Sequence, residues 1–234
     1  MTARVSVITP TCDRPAGIAL LERWMARQTR QPDEWIVADG GQTPAVCTMG
    51  QRHRHHARPA GATNFAMNLL GALEWVTGTV VIVAEDDDWY AANHIETLVA
   101  QLARPGVLIA GDDQQRYYNV PHRKWRLFNN KGASLCQTGM ARAVLPAFTT
   151  AIEKCLRAKT YGIDGALWAS QPDRARSLVR ASTVLGIKGL PGQVGLGIGH
   201  RPLAGWTSDP QGARLRAWIG ADAEWYLDRL KASA

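Results

Sequence analysis

A chain of 234 residues, 46% of them hydrophobic and 20% charged, suits one large domain and has enough apolar surface to offset the entropy of ordering it. That balance excludes a mainly disordered protein, and the longest apolar stretch, around residues 80–84, is far short of the ~20 residues that a bilayer span requires. A formal charge of +7 biases the surface toward anions such as nucleotide phosphates or nucleic acid.

Val5-Ser6-Val7-Ile8 is a short β-rich run ended by Thr9-Pro10, and Asp13-Arg14-Pro15 opens a helix, proline being well placed in a first turn. Leu20, Leu21, Trp24 and Met25 then recur at helical spacing. Residues 34–38 read as a second strand, stopped by Asp39-Gly40-Gly41, and a loop rich in arginine and histidine follows. Residues 63–76 predict a helix with Phe65, Leu69, Ala72, Leu73 and Val76 on one stripe. Residues 79–84 form a continuous β-branched run, as expected of a strand buried on both faces. A helix over 91–102 and a strand at 107–109 continue an alternation that predicts a mainly parallel sheet flanked by helices.

Beyond residue 112 the pattern changes. Residues 114–128 mix aromatic and basic side chains and read as a hairpin or excursion. Helical stretches are expected around 141–156 and 163–170. Residues 186–199 hold six glycines and read as loop, and residues 211–230 as one amphipathic helix. Cys12, Cys47, Cys136 and Cys155 are scattered with no Cys-x-x-Cys pair, and no basic-then-apolar signal segment opens the chain. A soluble protein of the reducing cytoplasm, with no transmembrane segment, is the expectation.

The acidic run Glu85-Asp86-Asp87-Asp88 follows the most apolar strand directly. The carboxyl edge of a parallel sheet is where open α/β folds bind ligands. Clustered carboxylates repel one another unless a cation neutralises them. Hard oxygen ligands suit Mn²⁺ or Mg²⁺, which in turn would hold a diphosphate.

Val5-Ser6-Val7-Ile8-Thr9-Pro10-Thr11, Asp39 after the second strand, Asn68 on the next long helix and Asp86-Asp87-Asp88-Trp89-Tyr90 together resemble the family 2 glycosyltransferases of the GT-A fold. The resemblance implies an α/β, Rossmann-like, mainly parallel sheet in one domain. Residues 1–112 would form its nucleotide-sugar-binding half, and 113–234 its acceptor-binding and catalytic half. It implies that Thr9, Pro10, Thr11 and Asp13 line the nucleotide pocket, with Asn68 and Asp87 nearby, and that Asp39 hydrogen-bonds the base. Asp86 and Asp88 resemble the family's Asp-x-Asp metal pair, with Asp88 the leading ligand. Gly132-Ala133-Ser134 is similar to a glycine-containing loop of the family, and His200 to a metal-binding histidine. Asp164, in Tyr161-Gly162-Ile163-Asp164-Gly165, resembles the catalytic base, although Ile163 stands where relatives have glutamate. Lys188 or Arg201 would add charge near the diphosphate.

The expected reaction is metal-dependent, inverting transfer of a sugar from a nucleotide-diphosphate sugar, a UDP-sugar favoured, to an acceptor hydroxyl. Two basic tracts bear on the acceptor: residues 52–58, with Arg52, Arg54 and Arg58 among three histidines, and residues 116–126, which interleave Arg123, Lys124 and Trp125 with tyrosines. Basic groups meet phosphates and aromatic rings stack on bases. The acceptor expectation therefore leans to a hydroxymethylated base in DNA, with a cell-surface glycan or lipid-linked sugar as the alternative. A nucleotidyltransferase would carry a basic, glycine-rich loop after the first strand, which Thr9–Asp13 lacks, and a non-catalytic nucleic-acid-binding protein would not explain the buried carboxylates.

Overall fold

The computed structural model describes residues 3–129, 132–160, 162–192, 195, 197, 199–200 and 204–228; Tyr161 and Arg201 lie outside them. In chain order the first half runs β1 (Val5–Thr11), α1 (Pro15–Ala26), β2 (Glu34–Asp39), β3 (Arg52–His55), α2 (Ala62–Leu73), β4 (Val80–Val83), β5 (Trp89–Tyr90), α3 (His94–Leu102) and β6 (Ile109–Asp112). The second half adds β7 (Gln114–Asn119), β8 (Lys124–Asn129), β9 (Gly139–Ala141), α4 (Leu145–Ala158), α5 (Ile163–Ala169), β10 (Arg176–Val179), β11 (Val184–Lys188), β12 (Thr207–Ser208), α6 (Ala213–Ile219) and α7 (Ala223–Leu227).

A seven-stranded sheet in the order β10-β6-β9-β4-β1-β2-β3 is parallel except at β9. Side chains alternate across a strand, and the two core clusters follow that period. Val5, Val7, Val80 and Ile82 pack on one face with Leu21 and Trp24 of α1 and Leu98 of α3. Ile8, Val81 and Val83 pack on the other with Leu69 of α2, Phe148 of α4 and Leu167 of α5. This double burial explains why β4 reads as an unbroken run of valine and isoleucine rather than an alternating one. A second, five-stranded sheet in the order β12-β8-β7-β11-β5 stands over the carboxyl edge, with β7 and β8 forming the expected hairpin.

Several elements differ from the sequence expectation. The arginine–histidine segment is not loop: Arg52–His55 is β3, the edge strand beside β2. Basic side chains on an edge disfavour pairing with another chain. Here they are also held internally. Arg52 pairs with Glu34 at 3.3 Å, Arg54 pairs with Glu74, and both guanidinium groups lie over Trp75.

Gly186 is strand, not loop, paired with Tyr117 of β7, and the Tyr117 ring takes the room a side chain would need: a Cβ there would stand 2.3 Å from Tyr117 Cδ1. The expected single C-terminal helix is broken at Gly220, whose φ of 59° ends α6 before α7 begins. The strand expected at 107–109 begins at Ile109, and β9 and β10 had no counterpart in the sequence reading. Among the described residues no helix is long and apolar enough to cross a membrane.

Candidate active site

Three strands deliver the site. β1 and β2 run in register with Thr11 beside Asp39, so both strands end on one edge of the sheet. β4 ends at Val83, and the chain then turns through the acidic run, with Asp86, Asp87 and Asp88 buried. A cleft of about 490 Å³ opens there, lined on one side by Pro10, Thr11 and Cys12 and the first turns of α2, and on the other by Tyr117, Ser134, Cys136 and Asp164. Glu85, Asp87 and Asp88 face into it, together with Arg14, Lys188 and His200.

The turn splits the four carboxylates. Glu85, Asp87 and Asp88 each bring an oxygen within 4.8 Å of the others. Asp86 lies outside that group: it accepts a hydrogen bond from Thr11 Oγ1 at 2.6 Å and faces Arg14 Nη1 at 3.0 Å. Asp87 gathers three basic side chains, with Arg14 Nη1 at 2.8 Å, His200 Nε2 at 3.5 Å and Lys188 Nζ at 3.8 Å. Asp88 accepts from the Ile187 backbone N–H at 3.0 Å and from Lys188 Nζ at 3.3 Å. Asp87 Oδ1 and Asp88 Oδ2 are buried without a hydrogen-bond partner. Buried oxygens of that kind are costly unless something binds them.

The electrostatics follow this geometry. Burial pushes the Asp86 carboxyl up to about 6, against the pull of Arg14. Burial would also raise Asp87, but Lys188 and Arg14 outweigh it and hold the group well below the usual carboxylate range. Glu85 is driven well upward by burial and by Asp88 and Asp87. Lys188 stays protonated despite burial, because Asp87, Asp88 and Glu85 surround it. Three converging carboxylates, two of them with unpaired buried oxygens, suit a divalent Mn²⁺ or Mg²⁺ ion.

The remaining expected residues fall into two groups. Asp164 stands at the start of α5 on the cleft wall, and burial raises its carboxyl. His200 reaches Asp87 because Asn119 Nδ2 holds the Gly199 carbonyl at 2.6 Å. Ser134 of the expected glycine-containing loop caps a short helical turn at Leu135–Gln137 on the cleft wall. Asn68 lines the cleft but is fully engaged, donating to the Thr11 carbonyl and Asn64 Oδ1 and accepting from Arg58.

Thr9 is buried within β1, where its hydroxyl accepts from Trp35 Nε1 at 2.9 Å. Asp13, at φ 49°, accepts from the backbone of Gln42 and Thr43 instead of capping α1. Asp39 spends its oxygens on the Gly41 and Ala45 N–H groups and on His53. Arg123, Lys124 and Trp125 lie outside the cleft: Arg123 holds the Leu227 carbonyl, Lys124 pairs across the β7–β8 hairpin, and Trp125 packs edge-on against Trp218.

The sequence reading included Glu85 in the acidic run but not among the metal ligands, and did not place Arg14, Tyr117 or Cys136 at this cleft. Cys136 is buried on the cleft wall, its thiol 3.5 Å from Ser134 Oγ. The acidic signal at Glu85 was visible; which three carboxylates converge depends on the turn after β4.

The model of the family described as Glycosyl transferase family 2 matches residues 6–159, more than half of the chain. The chain belongs to glycosyl transferase family 2. This glycosyltransferase has the GT-A fold, shared with solved structures at low identity. A mannosyltransferase from Pyrobaculum calidifontis, solved with GDP-Man and Mn²⁺, aligns over 100% of the chain and 74% of its own length, at 14% identity and a TM-score of 0.52. TarS of S. aureus aligns over 79% of the chain but 36% of its own, at 11% identity and a TM-score of 0.54. A shorter TarS, residues 1–349 with UDP, aligns at 12% identity and a TM-score of 0.52, with 60% of its length covered. The glycosyltransferase therefore spans about a third to three quarters of these chains. No curated protein matches its sequence. Asp164, Lys188 and His200 all lie beyond the matched residues 6–159.

Proposed function

We propose that this glycosyltransferase transfers a sugar from a uridine or guanosine diphosphate sugar to an acceptor hydroxyl, with a divalent ion held by Glu85, Asp87 and Asp88. The observation that carries this reading is the convergence of those three carboxylates, two of them with unpaired buried oxygens, at the floor of the cleft. Two relatives of the same fold were solved with GDP-Man and Mn²⁺ and with UDP, which supports a nucleoside diphosphate as the common ligand. When bound, the ion supplies Lewis-acid charge to the diphosphate.

The chain's own groups divide the rest of the work. Pro10 and Thr11 with the first turns of α2 form the wall against which the nucleoside lies. Lys188 and Arg14 add positive charge beside the diphosphate, and His200 adds a further ligand next to Asp87. Asp164 removes the proton from the acceptor hydroxyl as that oxygen bonds to the anomeric carbon. The bond from that carbon to the diphosphate oxygen breaks on the opposite face, so the anomeric centre inverts and the nucleoside diphosphate leaves.

For the acceptor we favour a hydroxyl of a glycan or lipid-linked sugar. The basic tracts that pointed to DNA are engaged within the fold: Arg52 with Glu34, Arg54 with Glu74, Arg58 with Asn68, and Arg116 with the Ser182 and Val184 carbonyls. Incubation with UDP- and GDP-sugars and Mn²⁺, followed by mass spectrometry, tests the reading. It expects nucleotide release that rises with sugar acceptors and a glycosylated product. Release without any acceptor product marks a hydrolase, and tight, steeply salt-dependent binding of hydroxymethylated duplex DNA would reverse the acceptor choice.

A further inference from the structure

Lys188 is an unusual counterion. Its side chain is 5% exposed, yet it makes one long hydrogen bond, 3.3 Å to Asp88, and a looser contact of 3.8 Å to Asp87. An ammonium has three donors to place. Beside it, Asp87 Oδ1 and Asp88 Oδ2 go unpaired, so the contact is not an optimised salt bridge. The Lys188 backbone is fixed, pairing with Asn119 of β7 while its carbonyl accepts from Val120, and the neighbouring Ile187 N–H is bonded to Asp88. The side chain alone is free to change partner. Its surroundings on the cleft side are the face of Tyr117, 5.4 Å from Nζ, and the open cleft itself.

We propose that Lys188 is a tethered, displaceable cation that makes metal and nucleoside diphosphate bind cooperatively, an inference that rests on the donor and metal reading above. Without ligands, its ammonium neutralises Asp87 and Asp88, the same carboxylates that a divalent ion needs. A divalent ion alone must displace a resident positive charge that has no anion to receive it, so it binds weakly. When a diphosphate is present, the ammonium moves to its oxygens, and the carboxylates are released to the metal. Each ligand thus removes the obstacle to the other, and the coupling is reciprocal. Arg14 is held differently, between Asp86 at 3.0 Å and Asp87 at 2.8 Å.

The test is calorimetric titration of Mn²⁺, alone and with saturating UDP or GDP, on the wild-type chain and on Lys188→Met and Lys188→Arg, each checked for a thermal unfolding transition. In Lys188→Met, Mn²⁺ alone should bind about tenfold or more tighter, and the gain in Mn²⁺ affinity on adding nucleotide should shrink by a similar factor. Lys188→Arg keeps the tethered charge and should keep the weak binding of Mn²⁺ alone, which keeps the test decisive even if the methionine variant does not fold. Unchanged or weaker Mn²⁺ binding in Lys188→Met, or tight binding of Mn²⁺ alone in Lys188→Arg, overturns the proposal and leaves the donor reading intact. Wild-type nucleotide binding that is indifferent to chelator overturns the metal reading itself.

Discussion

Thr11 Oγ1 donates to Asp86 Oδ2 at 2.6 Å, joining the end of β1 to the turn after β4 inside the buried floor of the cleft. Asp86 also faces Arg14 at 3.0 Å and stands apart from the three carboxylates, Glu85, Asp87 and Asp88, that converge in the cleft. Thr11→Val leaves a buried carboxylate oxygen without its donor and should lower stability by ~1–3 kcal/mol, whereas Thr11→Ser should come close to wild type. Urea unfolding of the two variants decides this; equal stabilities would deny the bond its role.

The same division predicts different consequences for the three aspartates. Asp87→Asn and Asp88→Asn should each weaken Mn²⁺ binding in the presence of nucleotide by roughly tenfold or more, each removing a charged ligand. Asp86→Asn should chiefly lower the melting temperature and leave Mn²⁺ affinity within a few-fold. Mn²⁺ titrations of all three variants would contradict the division if Asp86→Asn proved as damaging as the others.

Asp164→Asn should reduce kcat by about 10²–10⁴-fold and leave nucleotide affinity unchanged, as for loss of a general base. Burial raises the Asp164 carboxyl, and a base must be deprotonated to act. Activity should therefore fall on the acid side at a pH above the ordinary carboxylate range. A pH profile of kcat that is flat down to the usual range for aspartate would remove Asp164 from this role.

His94 supplies an independent pH test away from the cleft. Its ring is buried, with Nδ1 paired to Thr183 Oγ1 at 2.9 Å, and burial pushes its pKa down to about 3. The folded value is depressed, so below about 6.5 the unfolded chain binds a proton that the folded chain refuses. The stability this group permits is present above about 6.5 and is lost as pH falls toward 3, by at most ~1.4 kcal/mol per pH unit. Urea midpoints of wild type and His94→Gln should converge as pH falls through that window; parallel curves would contradict the assignment.

Much of the fold was legible where periodicity is strong. β1, β2 and β4 announce themselves by apolar runs buried on both faces, and α2 by its stripe through Leu69 and Ala72. β3 was hidden because an edge strand needs no apolar pattern, and Arg52–His55 gains its order from β2, Glu34 and Trp75. Gly186 misled because the need for glycine there comes from the Tyr117 ring of a neighbouring strand, not from a loop. At the site, the acidic run was plain in sequence, but its division was not: a turn decides that Glu85 joins Asp87 and Asp88 while Asp86 does not. Arg14 looked like a helix-opening residue, and only the tertiary fold brings it to Asp86 and Asp87.

The central claim is that the three-carboxylate cluster holds a metal that binds a nucleoside diphosphate, and calorimetric titration of UDP and GDP tests it most directly. The titrations run with Mn²⁺ and with chelator, on wild type and Asp88→Ala. The account predicts that one of the two nucleotides binds with Mn²⁺, and that chelator and the substitution each abolish the binding. Binding of neither nucleotide, or equal binding with chelator and in the variant, would contradict it.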